Sequence, residues 1–386
     1  MILKNAKIVL ENEIINGYVE ITDDKIIDIK QGDYSGSDAV DLEGNWLLPG
    51  FIDCHVHGGY GISFESGSVE AYKEYAKKTT IEGVTGYCFT SVTNSDADND
   101  KYYSEFGKFM VNENHGLQAK CFGAHMEGPF ISPLKKGAHD PKLIKKPSIE
   151  LTKRWNDLAN GTLRIVTYAP EEQNGEYTTW LIQNKILPSA GHSNVSAIEF
   201  EKNDYRLGVR HVTHLFNQMS EVDHHNPGLA VFALTHDDIL AEVISDGVHI
   251  QPEVLKMIYD CKSADSICIV TDGMLAKGMP DGNYILGELP VYKKGIEVRL
   301  QHGDNLAASA APYDHNVRFY QKTCDIPMTE LIKMTSINIA KQLNIFDKTG
   351  SIEINKQADL VCLDKDLKVL KTIVDGKICY EKRNEH

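Results

Sequence analysis

The sequence has no apolar run long enough to cross a bilayer, no CxxC pair among its eight cysteines and no surplus of positive charge. Each absence removes a class of protein. A membrane-spanning helix needs roughly 20 consecutive apolar residues, and the opening stretch MILKNAKIVL lacks a signal-peptide core and cleavage site. A cytoplasmic protein with no membrane partner is therefore expected. With 40 Lys and Arg against 55 Asp and Glu, the net charge of -15 opposes a nucleic-acid backbone or an anionic membrane, both of which need clustered cations. The cysteines are scattered singly, mostly in apolar runs as at Cys88, Cys121, Cys268 and Cys362, and read as reduced core residues. Also missing are a Walker loop, a GxGxxG opening a first βα unit, a GxSxG elbow, internal repeats and low-complexity segments.

What is present is a globular composition, 42% hydrophobic and 25% charged over 386 residues, enough for a sizeable core. Residues 1–48 alternate in short β-like runs (IVL, YVEI, KIIDI), and residues 350–381 repeat that texture, with a DG pair suited to a hairpin turn. Between them short apolar runs alternate with stretches of helical character such as SVEAYKEYAKKTTIEG and QPEVLKMIYDCKS, the rhythm of βα units. Eight strand candidates stand out: 51–57, 85–91, 119–127, 164–171, 186–193, 209–216, 239–249 and 266–273. The expected fold is α/β: a (β/α)8 TIM-type barrel over 51–349 with a β-rich insertion near 278–306, and a small β-sandwich domain built from 1–50 and 350–386.

Several polar residues fall at the ends of these runs. In FIDCHVHGG, His55 and His57 flank one residue, so on a strand both imidazoles project to one side. They can grip a divalent cation, or simply be a polar strand end. Glu127, followed by Gly-Pro, can bind or bridge metal ions, or be a solvated carboxylate at a loop mouth. His125 shares its face and suits a packed or supporting place. His192 and His214 each end a strand candidate. A lone histidine there is usually a hydrogen-bonded bystander, but in a closed barrel all these ends converge on one mouth. Asp272, before a glycine in IVTDGM, can take a proton from an attacking water and pass it to a leaving group, or be a turn aspartate; its place at the last strand's end favours catalysis. His139 could polarise a carbonyl and His249 could touch substrate. The Asn217 and Gln218 amides suit sugar hydroxyls or a phosphate, or a turn.

Taken in order, PGFIDCHVHGG, HMEGPF with KGAH, SAGHS, THLFNQM with NPG, SDGVH, VTDGM and GSIEINKQADLVCLD span nearly the whole chain. They resemble the motifs of the metal-dependent amidohydrolase superfamily, and within it the branch that deacetylates N-acetylated amino-sugar phosphates. The resemblance implies hydrolysis of N-acetylglucosamine-6-phosphate to glucosamine-6-phosphate and acetate. It also implies one or two divalent ions per subunit, zinc or iron, and a homodimer. By that resemblance Glu127, His192 and His214 are the principal ligands and His55 and His57 a pair used for a second metal. Asp272 is the acid/base and His139 the carbonyl-polarising group. Ala138, Asn217, Gln218, His249, Ala307, Ala308 and Ser309 match substrate-contacting positions. One departure stands out: where the family commonly carries an arginine for the phosphate, from the neighbouring subunit, SEVDHHNPG has His225, and imidazole is the poorer phosphate partner. The competing readings are a deacetylase for the galacto or an unphosphorylated sugar and, from another class, a non-catalytic barrel scaffold. Metal content and activity would separate the last from an enzyme.

Overall fold

The computed structural model describes residues 1–303 and 305–383. Each of the eight candidate runs coincides with a strand of one parallel sheet, two of which begin one residue earlier than expected: β1 (Phe51–Val56), β2 (Val84–Ser91), β3 (Lys120–Glu127), β4 (Leu163–Tyr168), β5 (Leu187–Ala190), β6 (His211–Val212), β7 (Leu240–Ile244) and β8 (Ile267–Val270). Neighbours in sequence are neighbours in the sheet. The first and last strands meet beyond β8: Val56 bridges Gly273, the His57 N–H donates to the Gly273 carbonyl at 2.8 Å, and the Asp272 N–H donates to the His55 carbonyl at 2.9 Å. Those bonds close the barrel at the edge where the candidate residues sit. β1, β2 and β7 are buried along their whole length, as expected of parallel strands covered on both faces.

Helices α1 (Val69–Lys78), α2 (Asp96–Asn112), α3 (Ile149–Leu158), α4 (Glu176–Gln183), α5 (Ala197–Phe200), α6 (Leu229–Thr235), α7 (Pro252–Cys261) and α8 (Tyr313–Cys324) follow the strands in turn. Local signals start them. The Ser68 side chain accepts the Ala71 N–H at the head of α1, and Pro252 opens α7 where a missing N–H costs nothing. Tyr72, Tyr75 and Ala76 of α1, and Leu255 and Ile258 of α7, are buried at helical spacing, the stripe that packs each helix on the sheet. A further helix, Asn338–Gln342, sends Ile339 and Ala340 into a cluster with Ile52, Cys54, Cys88 and Cys268.

The chain ends join in a second, mostly antiparallel sheet of eight strands. Trp46–Pro49 is its hinge between the termini, parallel to Ile2–Val9 and antiparallel to Leu360–Leu363. Its own apolar core includes Leu3, Ile8, Val19, Leu47, Leu360 and Ile373. Asp375 and Gly376 take φ of 46° and 70°, the left-handed pair of a two-residue hairpin. A four-stranded antiparallel sheet follows β8, built from Gly282–Leu286, Leu289–Lys294, Glu297–Leu300 and Leu306–Ser309. Its last strand returns to the barrel, where the Ser309 N–H donates to the Asp272 carbonyl at 2.8 Å. All eight cysteines are free thiols; Cys261 is exposed and Cys324 and Cys379 are half-buried, so these three are not core residues.

Candidate active site

β5 and β6 are shorter than their candidate runs because the chain turns sharply where the functional side chains begin. His192, His214, Gln218, Asp272 and Ala308 have φ of 46°, 28°, 48°, 49° and 56°. Left-handed backbone at a residue other than glycine is strained by about 1–3 kcal/mol and persists only where the surroundings over-determine it. Five such residues around one cavity mark a built site. Glycine is required beside them. At Gly128, with φ of 80°, an added Cβ would sit 2.1 Å from Thr93 Oγ1; at Gly137, with φ of 54°, it would lie 2.9 Å from Gln218 Cγ and 3.0 Å from His192 Cε1.

Glu127, at the end of β3, is the centre of the cluster. Its Oε1 lies 2.9 Å from His214 Nε2 and 3.3 Å from His192 Nε2, and those two nitrogens are 3.1 Å apart. Its Oε2 lies 3.0 Å from His57 Nε2, 3.4 Å from His55 Nε2 and 3.9 Å from His139 Nε2. Asp272 Oδ1 completes the second group at 3.1 Å from His57 Nε2 and 3.5 Å from His55 Nε2. One carboxylate thus faces two sets of imidazoles, one through each oxygen.

Hydrogen bonds to the far side of each ring decide what the near nitrogen can do. His192 Nδ1 meets the Lys135 carbonyl at 2.8 Å and His57 Nδ1 the Thr90 carbonyl at 3.2 Å. A carbonyl only accepts, so both rings carry a proton on Nδ1 and, when neutral, present a bare Nε2 to Glu127. His139 is arranged the opposite way: the Thr93 N–H donates to its Nδ1 at 3.3 Å, with Thr93 Oγ1 at 2.7 Å from the same atom. Its proton therefore sits on Nε2, and the ring offers the cavity a donor.

The charge states follow from the same contacts. Burial and the nearby His192 push His139 down to about 3, which keeps it a neutral donor. Burial would lower His57 too, but Asp272 and Glu127 outweigh it and raise His57 to about 9. His55 is raised well above its usual value against burial, by Glu127, Glu242 and Asp272. Burial opposes charge on Glu127, yet His55, His192 and His214 hold it well below the usual carboxylate range. Asp272 is lowered against burial by His55 and His57 and stays ionised. Such a cluster, with anions and imidazoles buried together, has the donor set of a divalent transition-metal site. The fit is supported by His55 Nε2, which is buried within the cluster and has no hydrogen-bond partner.

Most of the expected residues share one cavity of about 250 Å³. His57, Glu127, Ala138, His139, His192, His214, Asn217, Gln218, His249, Asp272 and Ala308 line it. His55 lies fully buried just behind, and His125 is packed deeper, bonded to the Cys54 carbonyl at 3.0 Å and Thr167 Oγ1 at 2.7 Å. Three expectations fare differently. His225 is exposed and does not line the cavity, because segment 221–226 stands out in solvent. Ala307 and Ser309 are fully buried on either side of Ala308; alternation on the strand turns them away, and the Ser309 hydroxyl donates to Asp246 Oδ2 at 2.9 Å. Sequence reading also missed partners. Asp246 Oδ2 holds His249 Nδ1 at 2.8 Å, Glu242 Oε2 meets His55 Nδ1 at 2.8 Å, and Thr93 orients His139. The signal for Glu242 was a carboxylate inside the apolar run LAEVI. Val92, Leu286 and Leu306 add an apolar wall, two of them from the insertion.

A closed parallel barrel whose strand ends gather histidines and carboxylates around one cavity is the architecture of a metal-dependent hydrolase. The Amidohydrolase family profile matches residues 46–379, and the chain belongs to that family. Within it, the chain is similar to deacetylases of amino-sugar phosphates, among them an N-acetylgalactosamine-6-phosphate deacetylase of Escherichia coli O157:H7, 30% identical over 86% of this chain and 87% of its own length. The N-acetylglucosamine-6-phosphate deacetylase of Bacillus subtilis (strain 168) is 35% identical over 98% of this chain and 97% of its own length. The crystal structure of N-acetylglucosamine-6-phosphate deacetylase from Thermotoga maritima superposes with a TM-score of 0.90 at 32% identity, covering 99% of this chain and 100% of that one. A mutant of the Mycobacterium smegmatis deacetylase, in complex with N-acetyl-D-glucosamine-6-phosphate, superposes with a TM-score of 0.92 at 27% identity over 98% of this chain and 99% of that one.

Proposed function

We propose that this protein hydrolyses the N-acetyl group of N-acetylglucosamine-6-phosphate, giving glucosamine-6-phosphate and acetate. The observation that carries the reading is the meeting of an ionised Asp272 and the neutral His139 N–H donor beside the Glu127 cluster, in one cavity. Glu127, His192 and His214 would hold a divalent ion, with His55 and His57 available for a second. Such an ion supplies a Lewis acid that polarises the amide carbonyl and acidifies a water.

The chain's own groups do the rest. The His139 Nε2–H donates to the acetyl carbonyl oxygen and stays with it as negative charge develops there. Asp272 accepts a proton from the attacking water and returns it to the departing amine. Ala138, Asn217, Gln218, His249 and Ala308 orient the sugar, with Ala307 and Ser309 behind them. The two faces of Glu127 support a binuclear centre, and an imidazole and carboxylate donor set suits zinc or iron. The exposed segment with His224 and His225 supports a homodimer in which it reaches the phosphate of a neighbouring site. Eight unpaired thiols support a cytoplasmic setting.

Steady-state kinetics on N-acetylglucosamine-6-phosphate, its galacto counterpart and unphosphorylated N-acetylglucosamine, with metal content measured on the same sample, test the reading. The gluco phosphate should have the highest kcat/KM; preference for either alternative overturns the substrate. Asp272→Asn should lower kcat by about 10²–10⁴-fold with metal retained. Near wild-type turnover with intact metal would remove Asp272 from its role.

A further inference from the structure

We propose that Glu242 is a positioning residue for His55, the last link of a chain running from half-buried Gln342 through buried His211 to Glu242 that determines which His55 nitrogen is free for a cation. The inference rests on the cation-binding reading above. Glu242 lies in the middle of β7 with no exposed surface. Its Oε2 is 2.8 Å from His55 Nδ1 and accepts the His214 backbone N–H at 3.2 Å; its Oε1 is 2.9 Å from His211 Nε2.

The far end of the chain sets the direction of every bond. Gln342, the last residue of helix Asn338–Gln342, donates its amide Nε2 to the Arg210 carbonyl at 2.8 Å, which turns its Oε1 towards His211 Nδ1 at 2.6 Å. An amide oxygen has no proton to give, so His211 Nδ1 carries one. Two arrangements of the next proton remain. A neutral His211 accepts a proton-bearing Glu242 Oε1 at its Nε2, whereas a charged His211 donates to a carboxylate. In both, Glu242 Oε2 stays an acceptor and His55 Nδ1 is the donor. In the neutral ring His55 Nε2 is then a bare lone pair, 3.4 Å from Glu127 Oε2 and 3.5 Å from Asp272 Oδ1. Without Glu242 the neutral ring would place its proton on Nε2, where two carboxylates invite it. That tautomer cannot ligate.

Two substitutions separate orientation from charge. Glu242→Gln keeps the bonds of the chain: the amide oxygen accepts from His55 Nδ1 and the His214 N–H, while the amide NH₂ donates to His211 Nε2; only the long Cys54 Sγ donation to Oε1 at 3.7 Å is given up. Glu242→Leu keeps bulk and removes the acceptor. Zinc dissociation constants from chelator competition, and bound zinc per chain, should stay close to wild type for Glu242→Gln. For Glu242→Leu zinc should bind about 10–100-fold more weakly, the usual effect of losing a ligand's hydrogen-bond partner. Melting of the zinc-free proteins reports any purely structural effect, which would lower stability and leave the zinc constant of the folded protein unchanged. Gln342→Leu, at the distant end, should weaken zinc in the same direction by less, and it serves if Glu242→Leu does not fold. Unchanged zinc affinity in a folded Glu242→Leu or Gln342→Leu protein overturns the inference alone. Equal losses in Glu242→Gln and Glu242→Leu also overturn it, in favour of charge. A wild-type protein that takes up no divalent cation overturns the metal-dependent reading as well.

Discussion

The two faces of Glu127 are built differently. On the Oε1 face, His192 and His214 stand on left-handed backbone at the ends of β5 and β6, and His192 is oriented by a main-chain carbonyl. On the Oε2 face, His55 and His57 stand on the end of β1, with His55 oriented by a buried carboxylate and Asp272 lying alongside. Main-chain groups cannot change charge or be replaced by mutation; a buried carboxylate can do both. Main-chain carbonyls orient one ring on each face, His192 and His57, so the difference lies in His55 and Asp272: the second face is the half whose ring-orienting and neighbouring carboxylates substitution and pH can tune.

Removing a residue from each face is the strongest way to break that comparison. His192→Ala should abolish the cation on the Oε1 face and lower kcat/KM by about 10³-fold or more, the several kcal/mol expected of a Lewis acid. His55→Ala should leave that cation in place and weaken only binding at the Oε2 face. Metal analysis beside kinetics on the same samples checks both, and equal losses would make the two faces one site. A smaller effect is expected at His139. His139→Ala removes a donor to the carbonyl oxygen and should lower kcat by about 10²–10³-fold, with metal content and KM little changed. A loss of metal in this variant would instead make His139 a ligand.

The fold and the ligand-like residues were legible in the sequence because both depend on local pattern. Short apolar runs ending in a polar residue marked all eight barrel strands, and the same endings carried His57, Glu127, His192, His214 and Asp272 into the cavity. The supporting residues were not legible, because their partners are remote in sequence. Glu242 meets His55 across the barrel, 187 residues away and with β8 between their strands. Thr93 meets His139 over 46 residues through a loop whose path no periodicity specifies. Ala307 and Ser309 show the limit of motif carry-over: a three-residue strand segment can offer only alternate side chains to one cavity.

The smallest effect per step is in pH, at most about tenfold per pH unit from one displaced proton, and it again separates the faces. In the metal-free protein His57 is raised to about 9, so its contribution to stability is fully present below the ordinary histidine value of about 6.5 and is lost as pH rises through 9. His139, lowered to about 3, has the opposite sign: between about 6.5 and 3 the unfolded chain binds a proton that the folded one refuses, so acid destabilises through it. A cation at the Oε2 face must displace the His57 proton, and that proton alone contributes a rise in apparent affinity of up to about tenfold per pH unit towards 9. The Oε1 face does not contain His57, and a cation there should lack that particular rise. Zinc titrations of wild type and His57→Gln between pH 6 and 9.5, with proton release measured in parallel, make the distinction. A wild-type slope unchanged by His57→Gln would mean that another group titrates, and the neighbouring His55, also raised and 3.5 Å from Asp272, is the next to replace.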